Sequence, residues 1–146
     1  MTADLFADHA PPPGEVVTLG PQACVLRGFA LPHVDALWPA LQAVLAQAPF
    51  RHMVTPGGQR MSVALTNCGA LGWVSDRRGY RYAPRDPDSG APWPALPAAF
   101  QRLAHDAAAA AGVDGFAPDA CLINRYAPGT RLSLHQDRDE RDLSQP

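Results

Sequence analysis

Tight-turn signals divide the middle of the chain into strand-length runs, and they limit its architecture more than any other feature of the sequence. FRHMVTPGGQ, RMSVALTNCG and LGWVSDRRGYRYAP read as strands parted by turns, with Pro56-Gly57-Gly58 and Arg78-Gly79 as the turn residues. Upstream, VVTLGPQACVLRGF from Val16 to Phe29 is β-branched and apolar around Gly20-Pro21, the pattern of two short strands or a hairpin. Between these regions, Val34, Leu37, Trp38, Leu41, Val44, Leu45 and Ala48 recur at helical spacing. Pro39 lies inside that helix and is expected to kink it or mark a false start. RDPDSGAPWP reads as loop, and a second helix is expected from about Pro97 to Ala111, with Phe100, Leu103, Ala104 and Ala107 on one face and Gly112 as its stop. CLINRY and RLSLH then read as strands joined by Ala127-Pro128-Gly129-Thr130. Strands, helix, strands, helix, strands is an α+β order, a mostly antiparallel sheet backed by two helices.

Composition narrows the class further. The 146 residues suit one domain; at 47% hydrophobic and 18% charged they are too apolar for a disordered chain and too interrupted for a membrane span. The opening MTADLFADHAPPPGE carries acids and prolines where a secretory signal would carry basic residues and an apolar core. A cytoplasmic protein is expected, with residues 1–15 a flexible arm ahead of a domain at 16–146. Cys24, Cys68 and Cys121 form no CxxC pair, so they are expected reduced and buried. All 12 basic residues are arginines, a compositional bias rather than a design, and a net charge of -2 argues against a broad nucleic-acid-coating face.

Three patches carry chemistry. In RLSLHQD, alternation puts His135 and Asp137 on one strand face, where an imidazole and a carboxylate supply two of the three ligands of a facial triad for non-haem iron. The bland alternative is a polar strand end running into the charged loop RDERD. In CLINRYAPG, Asn124 and Tyr126 share a face and could hydrogen-bond a small polar cosubstrate, or they could satisfy the backbone of the following turn. GWVSDRRGYRYAPR interleaves Arg77, Arg78, Arg81 and Arg85 with Trp73, Tyr80 and Tyr82, cations for phosphates and rings for bases. Its alternative is a solvated hairpin with Trp73 tucked into the core.

Taken together, MVTPGG, MSVALTNCGALGW, GYRYAP, WPALP, PDACLINRYAPG and LSLHQDRDE closely resemble the bacterial AlkB family of Fe(II)- and 2-oxoglutarate-dependent dioxygenases. The likeness runs in order from Leu5 onward. It implies the first part of a double-stranded β-helix (jelly-roll) fold, with a nucleotide-recognition lid at about 50–85 and the start of the jelly-roll core at about 119–146. It implies oxidative demethylation of N-alkylated bases in DNA, and in some members RNA, releasing formaldehyde, succinate and CO2. Under it, His135 and Asp137 are the catalytic iron ligands, and Asn124, Arg125, Tyr126 and Leu132 line the 2-oxoglutarate pocket. Trp73 faces a flipped base, Tyr80, Arg81 and Tyr82 form the lid, and Asp139 approaches an exocyclic amine. Thr55, Met61 and Arg131 line the nucleotide path. Arg131 replaces an expected lysine, Gln59 a tyrosine and Leu65 a methionine, changes that bear on substrate preference.

The resemblance also implies a third iron ligand, a distal histidine, and carboxylate-pairing arginines on later strands. Nothing after Asp137 supplies them, and His9, His33, His52 and His105 match none of those positions. The expectation is therefore a truncated, inactive and marginally stable piece of a monomeric enzyme that acts on alkylated single- or double-stranded DNA, away from membranes. The competing expectations are a noncatalytic binding remnant that keeps the lid, and a gene fragment without function. An unrelated metal hydrolase using His135 and Asp137 would leave the other motifs unexplained.

Overall fold

The computed structural model describes residues 14–135. The chain folds as an α+β structure of three antiparallel strand pairs and two helices. In the first pair, β1 (Val16–Gly20) and β2 (Ala23–Leu26) turn back at Pro21-Gln22, as the Gly-Pro signal predicts. Gly14 and Glu15, expected in a loose arm, instead prolong this hairpin. Gly14 N–H donates to the Arg27 carbonyl at 3.0 Å, Arg27 N–H to that of Glu15 at 2.9 Å, and the two side chains pair at 3.3 Å. The rest of the expected arm lies outside the described residues.

A short 3-10 turn, Leu31–His33, leads into α1 (Val34–Gln47), which continues through Pro39. The expected false start is not there. Proline removes one backbone donor and crowds the preceding turn, a cost of about 3 kcal/mol. That loss is offset by the face carrying Leu37, Leu41 and Val44, of which Val44 is fully buried. The second helix, α2 (Ala98–Ala110), begins directly after Pro97. Gly112, at φ +90°, ends it in a left-handed turn: Gly112 N–H reaches the Ala109 carbonyl at 3.0 Å and Val113 N–H that of Ala108 at 2.8 Å.

The centre is built by β3 (Ala64–Gly69), β4 (Gly72–Asp76), β5 (Gly79–Ala83) and β6 (Ala120–Arg125). β3 pairs with β6 over its whole length, and β4 with β5 about the Arg77-Arg78 turn. Met53, Val63, Leu65, Val74 and Trp93 form the core, with Ala48, Met61, Trp73 and Ala83 packed against it. Burying each large side chain contributes about 2 kcal/mol. Trp93 anchors the loop after β5 by donating its indole N–H to the Ala83 carbonyl at 3.0 Å. The same loop is tied back by Arg51, which pairs with Asp86 and, at 3.4 Å, with Asp88.

Two sequence expectations fail here. RLSLH is not a strand: residues 131–135 are irregular, and Leu132 and Leu134 are exposed rather than buried on one face. Alternation alone specifies no partner, and among the described residues no strand lies beside this segment. The cysteines are all free as expected, but only Cys68 is buried; Cys24 and Cys121 are half-buried. Among the described residues, no helix is long and apolar enough to cross a membrane.

Candidate nucleotide and cosubstrate site

The β4–β5 hairpin gathers the aromatic and basic residues singled out in the sequence. Directly opposed residues of an antiparallel pair project to one side, so the pairings Trp73 with Tyr82 and Ser75 with Tyr80 place all three rings on one face. Trp73 and Tyr80, diagonal neighbours, stack with centroids 5.6 Å apart and planes 17° apart. Trp73 is half-buried, with part of its indole on the core. Part of the indole thus rests on the core, as the core alternative expects, while one ring face meets Tyr80.

Arg81 lies on the opposite face of the hairpin. Its guanidinium grips Asp76 bidentately, at 2.9 and 2.7 Å, and also donates to the Gly79 carbonyl at 3.2 Å. The Arg81 hydrogen bonds, aided by the Arg78 backbone N–H, hold the Asp76 carboxyl down to about 2. In this structure the guanidinium therefore closes the hairpin. Thr55 caps its own turn, its hydroxyl accepting from Gln59 N–H at 3.2 Å, and Met61 packs on the core. His52 donates through Nδ1 to the Met61 carbonyl at 2.8 Å, which fixes the approach of that turn.

One residue of this site carries no signal in the sequence analysis. Asn67, completely buried in β3, donates its amide to the Trp73 carbonyl at 2.9 Å and accepts from Trp73 N–H at 2.9 Å. Its side chain acts as a missing strand along the open edge of β4. A buried asparagine in the apolar run SVALTNCGALGW is the only trace such a clamp leaves.

The clamp also sets the two halves of the site on one side. Asn67 is the direct partner of Leu122, and Leu65 of Asn124, so the Asn124 side of the β3–β6 ladder is the side on which Trp73 is held. Leu122 and Asn124 are exposed on either side of half-buried Ile123, but the alternation stops there, since Arg125 and Tyr126 are exposed as well. Arg125 points the other way, its guanidinium 4.9 Å over the Phe50 ring. Beyond β6, Arg131, Leu132 and His135 are exposed. His135 approaches the Ser133 carbonyl through Nδ1 at 2.8 Å. A carbonyl can only accept, so Nδ1 bears a proton and donates it to Ser133. Asp137 and Asp139 lie outside the described residues. Among those described, no three His, Cys, Asp or Glu side chains converge on a point where a metal ion could sit.

An α+β ladder carrying exposed polar side chains beside an aromatic hairpin is accompanied by a match along most of the chain. The chain belongs to the 2OG-Fe(II) oxygenase superfamily, whose family model covers residues 22–146. Within that class it is similar to the alpha-ketoglutarate-dependent dioxygenase AlkB of Salmonella typhimurium, 59% identical over 143 residues, and to that of Escherichia coli, 56% identical over the same length. Both alignments cover 98% of this chain and 65% of the relative, so the chain spans just under two thirds of their length. The AlkB homolog of Caulobacter vibrioides is 46% identical over 125 residues, 81% of this chain and 55% of that protein. The donor chemistry at the site fits the cofactors this family is named for. An imidazole suits ferrous iron, and the exposed amide and phenol of Asn124 and Tyr126 suit a dicarboxylate.

Proposed function

We propose that these residues belong to an Fe(II)- and 2-oxoglutarate-dependent dioxygenase that removes alkyl groups from nucleic-acid bases, acting as a cytoplasmic monomer. The observation that carries this reading is the 59% identity to AlkB across 98% of the chain, a span that includes every residue of the proposed site. The side-by-side arrangement of the Trp73 hairpin and the Asn124 strand supports it, because demethylation needs the base and the cosubstrate within reach of one centre.

His135, with Asp137, would hold the iron, and Asn124 and Tyr126, with Arg125 and Leu132 nearby, would hold 2-oxoglutarate. When bound, iron with 2-oxoglutarate would let O2 act as the oxidant, one oxygen atom going to succinate as CO2 is released and the other to the N-methyl group, which leaves as formaldehyde. The protein's own work is placement. The Ser133 carbonyl accepts from His135 Nδ1 and so orients the imidazole ring. Asn67 fixes the Trp73 backbone, so the indole keeps one orientation while a flipped base stacks on it. Tyr80 now covers one face of that indole, and a base would replace it there at little cost, ring for ring. Tyr82, Arg81, Thr55, Met61, Arg131 and Asp139 would line the path of the strand. DNA is the favoured nucleic acid, with RNA the second.

The test is a chimera in which this chain is continued by the remaining third of the Salmonella relative. The expected result is succinate from 2-oxoglutarate, stimulated by an oligonucleotide carrying an N-methylated base and matched by formaldehyde. A folded chimera that yields no succinate contradicts the proposal. The 146-residue chain assayed alone is expected to yield none.

A further inference from the structure

Cys68 and Cys121 face each other across the β3–β6 ladder, and neither has a part in the site described above. The hydrogen-bond pattern fixes the kind of pairing. Leu65 exchanges both its backbone bonds with Arg51, and Gly69 N–H donates to the Pro94 carbonyl, so the odd-numbered groups of β3 turn away from β6. Cys68 therefore belongs to the hydrogen-bonded pairs, whose Cα atoms stand about 5.5 Å apart. That lies within the Cα separations of about 4.4–6.8 Å that a disulfide spans, and closing the bond draws the two Cβ atoms together from about 5.5 Å toward about 4 Å.

The two thiols are direct cross-strand neighbours and differ in access. The facing Cys121 thiol and burial push the Cys68 thiol above its ordinary range, while the facing Cys68 thiol holds Cys121 below its own. Cys68 is completely buried, whereas Cys121 lines an apolar cleft of about 630 Å³ between α1 and α2, walled by Leu37, Leu41, Phe100 and Leu103. The more acidic sulfur is thus the one a reagent entering the cleft meets first. The walls favour a reagent with an apolar body.

We propose that Cys68 and Cys121 form an oxidative modification site that takes an alkyl hydroperoxide and closes to a reversible disulfide. The Cys121 thiolate attacks the terminal peroxide oxygen; an S–O bond forms, the O–O bond breaks, and the alkoxide leaves, taking the former thiol proton from solvent as alcohol. Cys121, oxidised by two electrons, is then a sulfenic acid, and the peroxide has been reduced by two. The Cys68 sulfur attacks that of Cys121; the S–S bond forms, the S–O bond breaks, and hydroxide leaves with the Cys68 proton as water. Two thiols and one hydroperoxide become one disulfide, one alcohol and one water. Cys24, on β2, takes no part.

The probe is tert-butyl hydroperoxide added to the native chain, followed by alkylation, digestion without reductant and mass spectrometry. The expected result is loss of the alkylatable thiols at Cys68 and Cys121, a peptide pair joined through them and lighter by two hydrogens, and restoration by dithiothreitol, with Cys24 still alkylated. In C68S, dimedone should label Cys121, because the resolving thiol is gone. Cys68 and Cys121 remaining fully alkylatable, or oxidation falling on Cys24 instead, would overturn the proposal. The wild-type peptide map decides by itself should C68S not fold.

Discussion

Asn67 is the residue on which the geometry of the site turns, because its single side chain satisfies both backbone groups of Trp73. Replacing it by leucine keeps the branched shape and heavy-atom count but leaves a buried N–H and C=O unpaired, a loss of about 2–4 kcal/mol. Urea unfolding of N67L reads this directly, and a midpoint equal to that of the wild type would show the clamp to be dispensable. Gly72 makes a second single-atom argument. A methyl group there would collide with the Trp93 indole and the Asn67 side chain. G72A should therefore cost about 1–3 kcal/mol. Thermal unfolding checks it, and an unchanged Tm would contradict the packing described. Neither role is legible from the sequence. The Asn67 side chain reaches around a turn to a residue six positions later, a contact fixed by how β4 lies on β3 and invisible to any periodicity.

Among the elements, the β4–β5 hairpin has a pH dependence of its own. Asp76 is held down to about 2 by Arg81 and the Arg78 N–H, whereas an unfolded aspartate titrates near about 3.9. The folded value is the lower, so the pair favours the hairpin fully above about pH 4, and that contribution fades as pH falls through about 2. An NMR titration should find the Asp76 carboxyl midpoint near 2, and D76N should remove this part of the acid sensitivity. A midpoint near 4 would show that the ion pair does not hold in solution. The hairpin itself was legible: Arg78-Gly79 marks its turn, and aromatic residues mark its strands. Helix α1 and residues 131–135 were less so. Packing of Leu41 and Val44 carries a helix through Pro39, and no strand partner among the described residues converts the alternation of RLSLH into a ladder.

For the molecule as a whole, the motifs in order made the family legible, since TNCGALGW and CLINRYAPG carry long, specific strings where a lone H-x-D carries little. What the motifs left unread is how the halves meet. The β3–β6 ladder sets Asn124 on the side where Asn67 holds Trp73, so one strand pair connects the hairpin proposed to face the base to the strand proposed to hold the cosubstrate. This division of labour predicts separable defects. In the chimera with the Salmonella relative, W73A should lower formaldehyde release from a methylated oligonucleotide about tenfold, the worth of one stacked base, while succinate continues to form from 2-oxoglutarate. H135A should abolish both. Measuring succinate and formaldehyde together in these two variants is the most direct test of the account. A W73A protein that loses both products, or an H135A protein that keeps either, would contradict it.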